Sequence, residues 1–212
     1  MNETFFDLKK EKQDRMINAA LKVFALNGYR HASTDDIVRE AAISKGLLFH
    51  YFENKLGVYA FVYDYSVRYL LLEFSTAVDA KETDLFTLMQ QVETGKMHAM
   101  CGYPYLQPFL NRAQAENVNE ALVAVEERKQ QMEEAYENIY ARADLGKYAA
   151  AEDVVKLRKM MELTIKGLMN ERILEDAFQP EMLYEEILEY LQLSRRLAER
   201  SGQPSDEEIT EK

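Results

Sequence analysis

No proline precedes Pro104, and only five glycines do, so the first hundred residues carry almost none of the punctuation that a series of short strands and turns requires. A chain built this way is expected to be all-helical. With 212 residues it is long enough to close a hydrophobic core, and 47% hydrophobic with 30% charged residues is the balance of a globular protein. That composition excludes collagen-like, low-complexity and disulfide-scaffold chains. Cys101 is the lone cysteine and there are three histidines (His31, His50, His98), so no Cys/His set has zinc-ligand spacing and no metal is expected. The polar start lacks a signal-peptide segment, and the most apolar stretch, 58–72, is interrupted by Asp64, Ser66 and Arg68. The expectation is a cytoplasmic protein that spans no membrane.

The net charge of −11 argues against a polyanionic partner only while it is treated as uniform. Residues 1–57 hold nine Lys/Arg and eight Asp/Glu, whereas the remainder holds 17 and 29. The two parts are therefore expected to meet different partners. Apolar residues from Met16 to Ala25 recur at helical spacing and Gly28 follows as a C-cap, giving a first helix over 15–27. Thr34 is read as the cap of a second helix, with Asp35 and Asp36 at its positive end. A tight connection at Ala42 and Ile43 leads to Ser44, which can cap a third helix whose buried edge is Leu48 and Phe52. Two short helices joined by so brief a turn read as a helix-turn-helix. A long helix is expected over 55–77, followed by others near 83–101, 104–116, 118–145, 151–176 and 180–199, with Pro180 in a favourable first turn. The division is a head over 1–54, a core over 55–200 and a polar tail over 201–212.

With Leu48 and Phe52 inward, Lys45, Gly46, Leu47, Phe49, His50 and Tyr51 form the outer surface of the third helix. A helix-turn-helix inserts this surface into the major groove. The pattern of Thr34, Ile37, Ser44-Lys-Gly46, His50-Tyr-Phe52 and Asn54-Lys55 resembles the DNA-binding motif of the tetracycline-repressor (TetR/AcrR) family of transcriptional regulators. The resemblance covers about residues 12–60, and it implies a homodimer of all-helical subunits with a C-terminal ligand-binding and dimerisation core. It places Lys45, Gly46 and Leu47 at the start of the recognition helix, gives His50, Tyr51 and Thr34 phosphate contacts, and assigns Lys55 a phosphate-contacting role. Phe49 departs from the tyrosine common in the family and offers no hydroxyl there.

In the core, Tyr63, Met89, Met97, Tyr103, Phe109, Met132 and Tyr136 supply rings and thioethers that suit a mostly apolar effector pocket, and equally suit an ordinary core. Lys129 interrupts an apolar seam and either meets an anionic ligand or snorkels to solvent. Leu157, Met161, Ile165 and Leu168, with Leu183, Ile187 and Leu191, supply more apolar surface than one helix pair can hide, so they are expected at a subunit interface. Gly-x-Ser-x-Gly, Walker and Glu-x-x-His patterns are absent from the sequence, so no enzyme and no cofactor are expected. The function expected is that of a homodimeric regulator, a repressor bound to a palindromic double-stranded DNA operator and released by a small-molecule effector. The alternatives are a ligand-independent DNA-organising protein, and an all-helical binding module or enzyme with a degenerate head.

Overall fold

The computed structural model describes residues 3–148, 150–174 and 178–200, and the tail expected over 201–212 lies outside them. The described residues form nine α-helices and no strand. They are α1 (Lys10–His31), α2 (Thr34–Glu40), α3 (Lys45–Phe52), α4 (Lys55–Ala77), α5 (Leu85–Gly102), α6 (Leu106–Gln114), α7 (Asn119–Tyr140), α8 (Ala151–Arg172) and α9 (Pro180–Arg200). Most bounds follow local chemistry. The side chains of Asn54 and Asp84 accept from the backbone N–H groups of Gly57 and Thr87, satisfying donors that the first turns of α4 and α5 leave open.

α1 departs from the expected helix at both ends. It starts at Lys10 because the preceding segment is docked: Phe5 is fully buried, and Gln13 Nε2 donates to the carbonyls of Phe6 and Leu8 at 3.0 and 2.7 Å. Gly28 interrupts it with φ 68°, a conformation that disfavours any side chain, and one more helical turn reaches His31. α7 stops at Tyr140, short of the expected 145, where the chain turns so that Asp144 N–H donates to the Thr83 carbonyl at 2.8 Å.

The turn between α2 and α3 holds Ala42 at φ 51°, closed by Ile43 N–H to the Val38 carbonyl at 3.0 Å. A Cβ in this region costs about 1–2 kcal/mol, partly offset in glycine by the greater entropy of its unfolded chain. Ala42→Gly is therefore expected to stabilise the protein by about 0.5–1 kcal/mol, measured as a higher urea midpoint at unchanged slope.

Two apolar clusters organise the interior. The larger runs without interruption from Phe5 through α1, α2, α3 and α4 to Ile139 of α7. Its rings bridge the expected division at residue 54: Phe24 of α1 lies 5.1 Å from Tyr59 of α4 and 6.0 Å from Phe109 of α6, centroid to centroid. The smaller joins Leu85, Phe86 and Met89 of α5 to α8 and α9.

That second cluster corrects the expected subunit interface. Met161, Ile165, Leu183, Ile187 and Leu191 are buried within one chain, and Leu157 and Leu168 pack half-buried against them. The richest apolar stripe of each helix turns inward onto α5, because burial within the chain needs no second molecule. A second stripe stays outside, with Met160 and Leu163 of α8 and Tyr190 and Leu193 of α9 exposed. Gly167 adds no side chain there, and a Cβ at that position would meet nothing within 4 Å.

Candidate functional site

The helix-turn-helix is assembled by two serine caps. Ser33 accepts from Asp35 N–H at 3.1 Å, so Ser33 caps α2 and Thr34 becomes its first helical residue, a correction to the cap expected at Thr34. Ser44 accepts from Leu47 N–H at 3.2 Å and caps α3 as its sequence implies. Ile37 and Leu48, both fully buried, set the rotation of α2 and α3 against α1.

This rotation leaves Lys45, Gly46 and His50 exposed and Leu47 half-buried on one side of α3. Lys45 Nζ holds the Asp35 carboxylate at 2.8 Å, with both side chains at least half exposed, so the pair can be exchanged for another anion at little cost. Phe49 and Tyr51 are half-buried against the larger cluster; the Tyr51 ring meets Phe5 edge-on at 5.6 Å, and His50 meets Tyr51 at 4.9 Å. Gly46 is the informative residue. A Cβ placed there would meet nothing within 4 Å, so neither packing nor backbone strain within the chain calls for glycine.

Lys55, expected to contact phosphate, is also engaged within the chain. Its ammonium donates to the carbonyls of Tyr29, Ala32 and Arg30 at 2.9, 3.3 and 3.4 Å, and it sits 4.5 Å from the Tyr29 ring centroid. The interrupted end of α1 leaves these carbonyls open, and the first residue of α4 closes them. Tyr29 in turn donates from its backbone to Glu116 at 2.9 Å and from its hydroxyl to Glu120 at 2.6 Å. Burial works against the Glu116 charge, but three backbone N–H groups and Arg112 outweigh it and hold this carboxyl below its usual range. Lys55→Ala is expected to lower stability by about 1–2 kcal/mol, read in urea unfolding, by loosening the head on the core.

A cavity of about 280 Å³ opens where α5, α6, α7 and α8 converge, in the seam between the two apolar clusters. Of the residues expected to line an effector pocket, Met89 and Tyr136 line this cavity. Phe109 and Met132 are buried in the larger cluster instead, and Tyr63, buried there too, borders a separate cleft between α3, α4 and α7. The Tyr103 hydroxyl is held by Tyr65 at 2.6 Å, Asp14 at 2.5 Å and Lys10 at 3.0 Å, clasping α1 to the core. Met97 lies against Cys101, 3.5 Å between sulfurs, and Lys129 faces Glu133 at 4.0 Å. Large aromatic side chains fill the junction of head and core, where they exclude most water, and polar side chains line the cavity.

Those polar residues read in the sequence as solvated helix faces. Lys96 Nζ holds Glu93 at 2.7 Å with side chains only 14% and 5% exposed. Burial opposes the Lys96 charge, but Glu93 outweighs it and keeps the ammonium above the usual lysine range. Arg158 lies 4.2 Å from the Tyr140 ring centroid and holds Glu162 at 3.1 Å, while α6 contributes Gln107, Asn111 and Gln114. The signal for them was a second, polar stripe at spacings of three and four beside the apolar stripe, as at Gln107, Asn111 and Gln114, a spacing that surface ion pairs share.

The model of bacterial regulatory proteins of the tetR family matches residues 16–60, which hold most of α1, all of α2 and α3 and the first turns of α4. The HTH-type transcriptional regulator YuxN of Bacillus subtilis (strain 168), itself uncharacterized, is 38% identical over 78 residues, or 35% of this chain. That match spans 26% of the length of YuxN. A TetR family transcriptional regulator from Chloroflexus aurantiacus J-10-FL superposes with a TM-score of 0.55 at 23% identity, over 94% of this chain and 93% of that one. The fatty acid degradation regulator FadR from Bacillus halodurans superposes at 0.57 and 20% identity, over 84% of this chain and 96% of that one. At these identities the two structures establish the shared all-helical fold.

Proposed function

We propose that this chain, whose residues 16–60 match the model of the tetR family of bacterial regulatory proteins, is a member of that family and a cytoplasmic homodimeric repressor that reads a palindromic operator and leaves it when a small molecule fills the core cavity. The head over 1–54 reads DNA, and the core over 55–200 holds the effector and the second copy. The observation that carries this reading is the outward surface of α3, and Gly46 in particular. A glycine in a helix costs roughly 0.5–1 kcal/mol relative to alanine. With no internal reason for it, the reason lies in what approaches from outside, and a duplex backbone is the partner that close approach suits. Lys45 and Leu47 then face base edges, with Thr34, His50 and Tyr51 directed to phosphates.

Pairing follows from the outer stripe of α8 and α9. Met160, Leu163 and Leu193 are between 46% and 61% exposed, and burying them against a second copy makes a four-helix contact. Two recognition helices are then set about 34–36 Å apart, or at another separation matched to the helical turn. The acidic core keeps DNA from other surfaces, and the cationic contacts of the head are expected to make binding weaken with salt.

Coupling runs through α6 together with α4. One face of α6 presents Gln107 and Asn111 to the cavity, while Phe109 packs on Phe24 and Arg112 lies beside Gly28 of α1. A displacement of α6 is thereby passed to the head. The effector shifts the protein off DNA only to the extent that it prefers the incompetent arrangement.

Selection of bound sequences from random duplexes tests the proposal. Enrichment of a palindrome is expected, and failure to enrich any sequence would overturn it. Gly46→Ala separates the surface from the fold: stability is expected to be unchanged or up by about 1 kcal/mol, while affinity for the selected duplex falls about tenfold.

A further inference from the structure

We propose that the core cavity takes an organic amine in its protonated form, with a short apolar body; this rests on the effector-site reading above and deepens it by naming the ligand class. The three cationic side chains that reach the cavity already hold partners. Lys96 is paired with Glu93 and Arg158 with Glu162, and Lys166 donates to the Gln114 carbonyl at 2.9 Å. The lining holds four carboxylates, Glu93, Glu133, Glu137 and Glu162, against these three cations, so its balance is negative and disfavours an anion.

Two acceptors on lining residues stand without a partner among the described residues. Gln107, only 5% exposed, donates through Nε2 to Asn111 Oδ1 at 2.9 Å, and Asn111 Nδ2 donates to the Met169 sulfur at 3.2 Å. Reversing both amides would turn the Asn111 oxygen toward the sulfur, lone pairs against lone pairs, so the thioether fixes their sense. The Gln107 Oε1 is then a buried carbonyl oxygen with no partner among the described residues, on a side chain that lines the cavity. Such an atom favours an occupant that brings an N–H or O–H. Glu137 supplies the sign. It lines the same cavity, and its carboxylate has no ion-pair partner among the described residues. A cation satisfies both groups, whereas an anion adds a second negative charge near Glu137 and offers Gln107 only lone pairs. Met89, Ile165 and Met169 form the apolar part of the wall and receive the carbon skeleton.

The test is titration calorimetry on the intact protein with three probes that share one skeleton: 2-phenylethylamine, 2-phenylethanol and 3-phenylpropionate. The amine is expected to bind at least about tenfold tighter than the alcohol or the carboxylate. Gln107→Met is expected to weaken the amine about tenfold, and Glu137→Gln, at an exposed position that leaves the fold intact, about three- to tenfold. Equal or tighter binding of the carboxylate, no measurable binding of any probe, or unchanged amine affinity in Glu137→Gln would overturn the proposal. A gel shift of the same preparation on the selected duplex keeps the two readings apart. Intact DNA binding with a carboxylate preference sinks the ligand class alone, whereas loss of sequence-selective DNA binding sinks the regulator reading alone.

Discussion

Lys45→Glu is expected to reduce affinity for the selected operator by about a hundredfold or more in gel-shift titration, while the thermal midpoint moves little. Each contact of this kind is worth about 1–3 kcal/mol to a base, and a symmetric dimer makes it twice. The change also reverses a local balance: the ammonium that neutralises Asp35 at 2.8 Å becomes a second carboxylate on the face presented to phosphate. Stability is spared because the pair is exposed at both ends, and such pairs contribute about 0–1 kcal/mol. Lys81→Glu, on the exposed connection between α4 and α5, makes the same charge change away from that face and is expected to leave affinity within about twofold. Equal losses in both variants would show that net charge, not the α3 surface, governs binding.

Joint replacement of Leu163 and Leu193 by glutamate is expected to convert the proposed dimer to single chains that stay folded. Both side chains are about half exposed in one chain, at 58% and 46%, so a charge there meets water in the isolated subunit. Across a paired interface the same four carboxylates would be desolvated at several kcal/mol each, more than a contact of ordinary size can absorb. Sedimentation should show the mass of one chain with helical circular dichroism intact. Operator affinity should fall by at least about a hundredfold, because a single head has half the contacts and no second site to hold it. A dimer that survives the double change would relocate the interface away from α8 and α9.

Much of the head was legible without coordinates because its determinants are local. Ser44, two residues beyond the turn, and Leu48 with Phe52 at i, i+4 define where α3 begins and which edge is buried. Gly28 marked the break in α1 for the same reason, since backbone stereochemistry at one residue decides it. The carbonyl contacts of Lys55 were not legible because its partners lie more than twenty residues earlier, brought beside it by the packing of α4 on α1. Ser33 displaced Thr34 as the α2 cap by one residue, a margin at which either hydroxyl satisfies the same sequence pattern.

The core shows where local information ends. α8 and α9 each carry two apolar stripes, and periodicity reports both without saying which faces inward. Burial of Ile165, Ile187 and Leu191 against α5 decided that, leaving Leu163 and Leu193 outside. The cavity lining was decided the same way, as Glu93, Lys96 and Gln107 share their spacing with residues that pair in water. Sequence alone therefore determined the order of the helices, the Ser44 cap and the buried edge of α3, through interactions spanning a few residues. Tertiary structure decided the inward stripe, the polar chamber and the carbonyl contacts of Lys55, because each depends on which helix lies opposite.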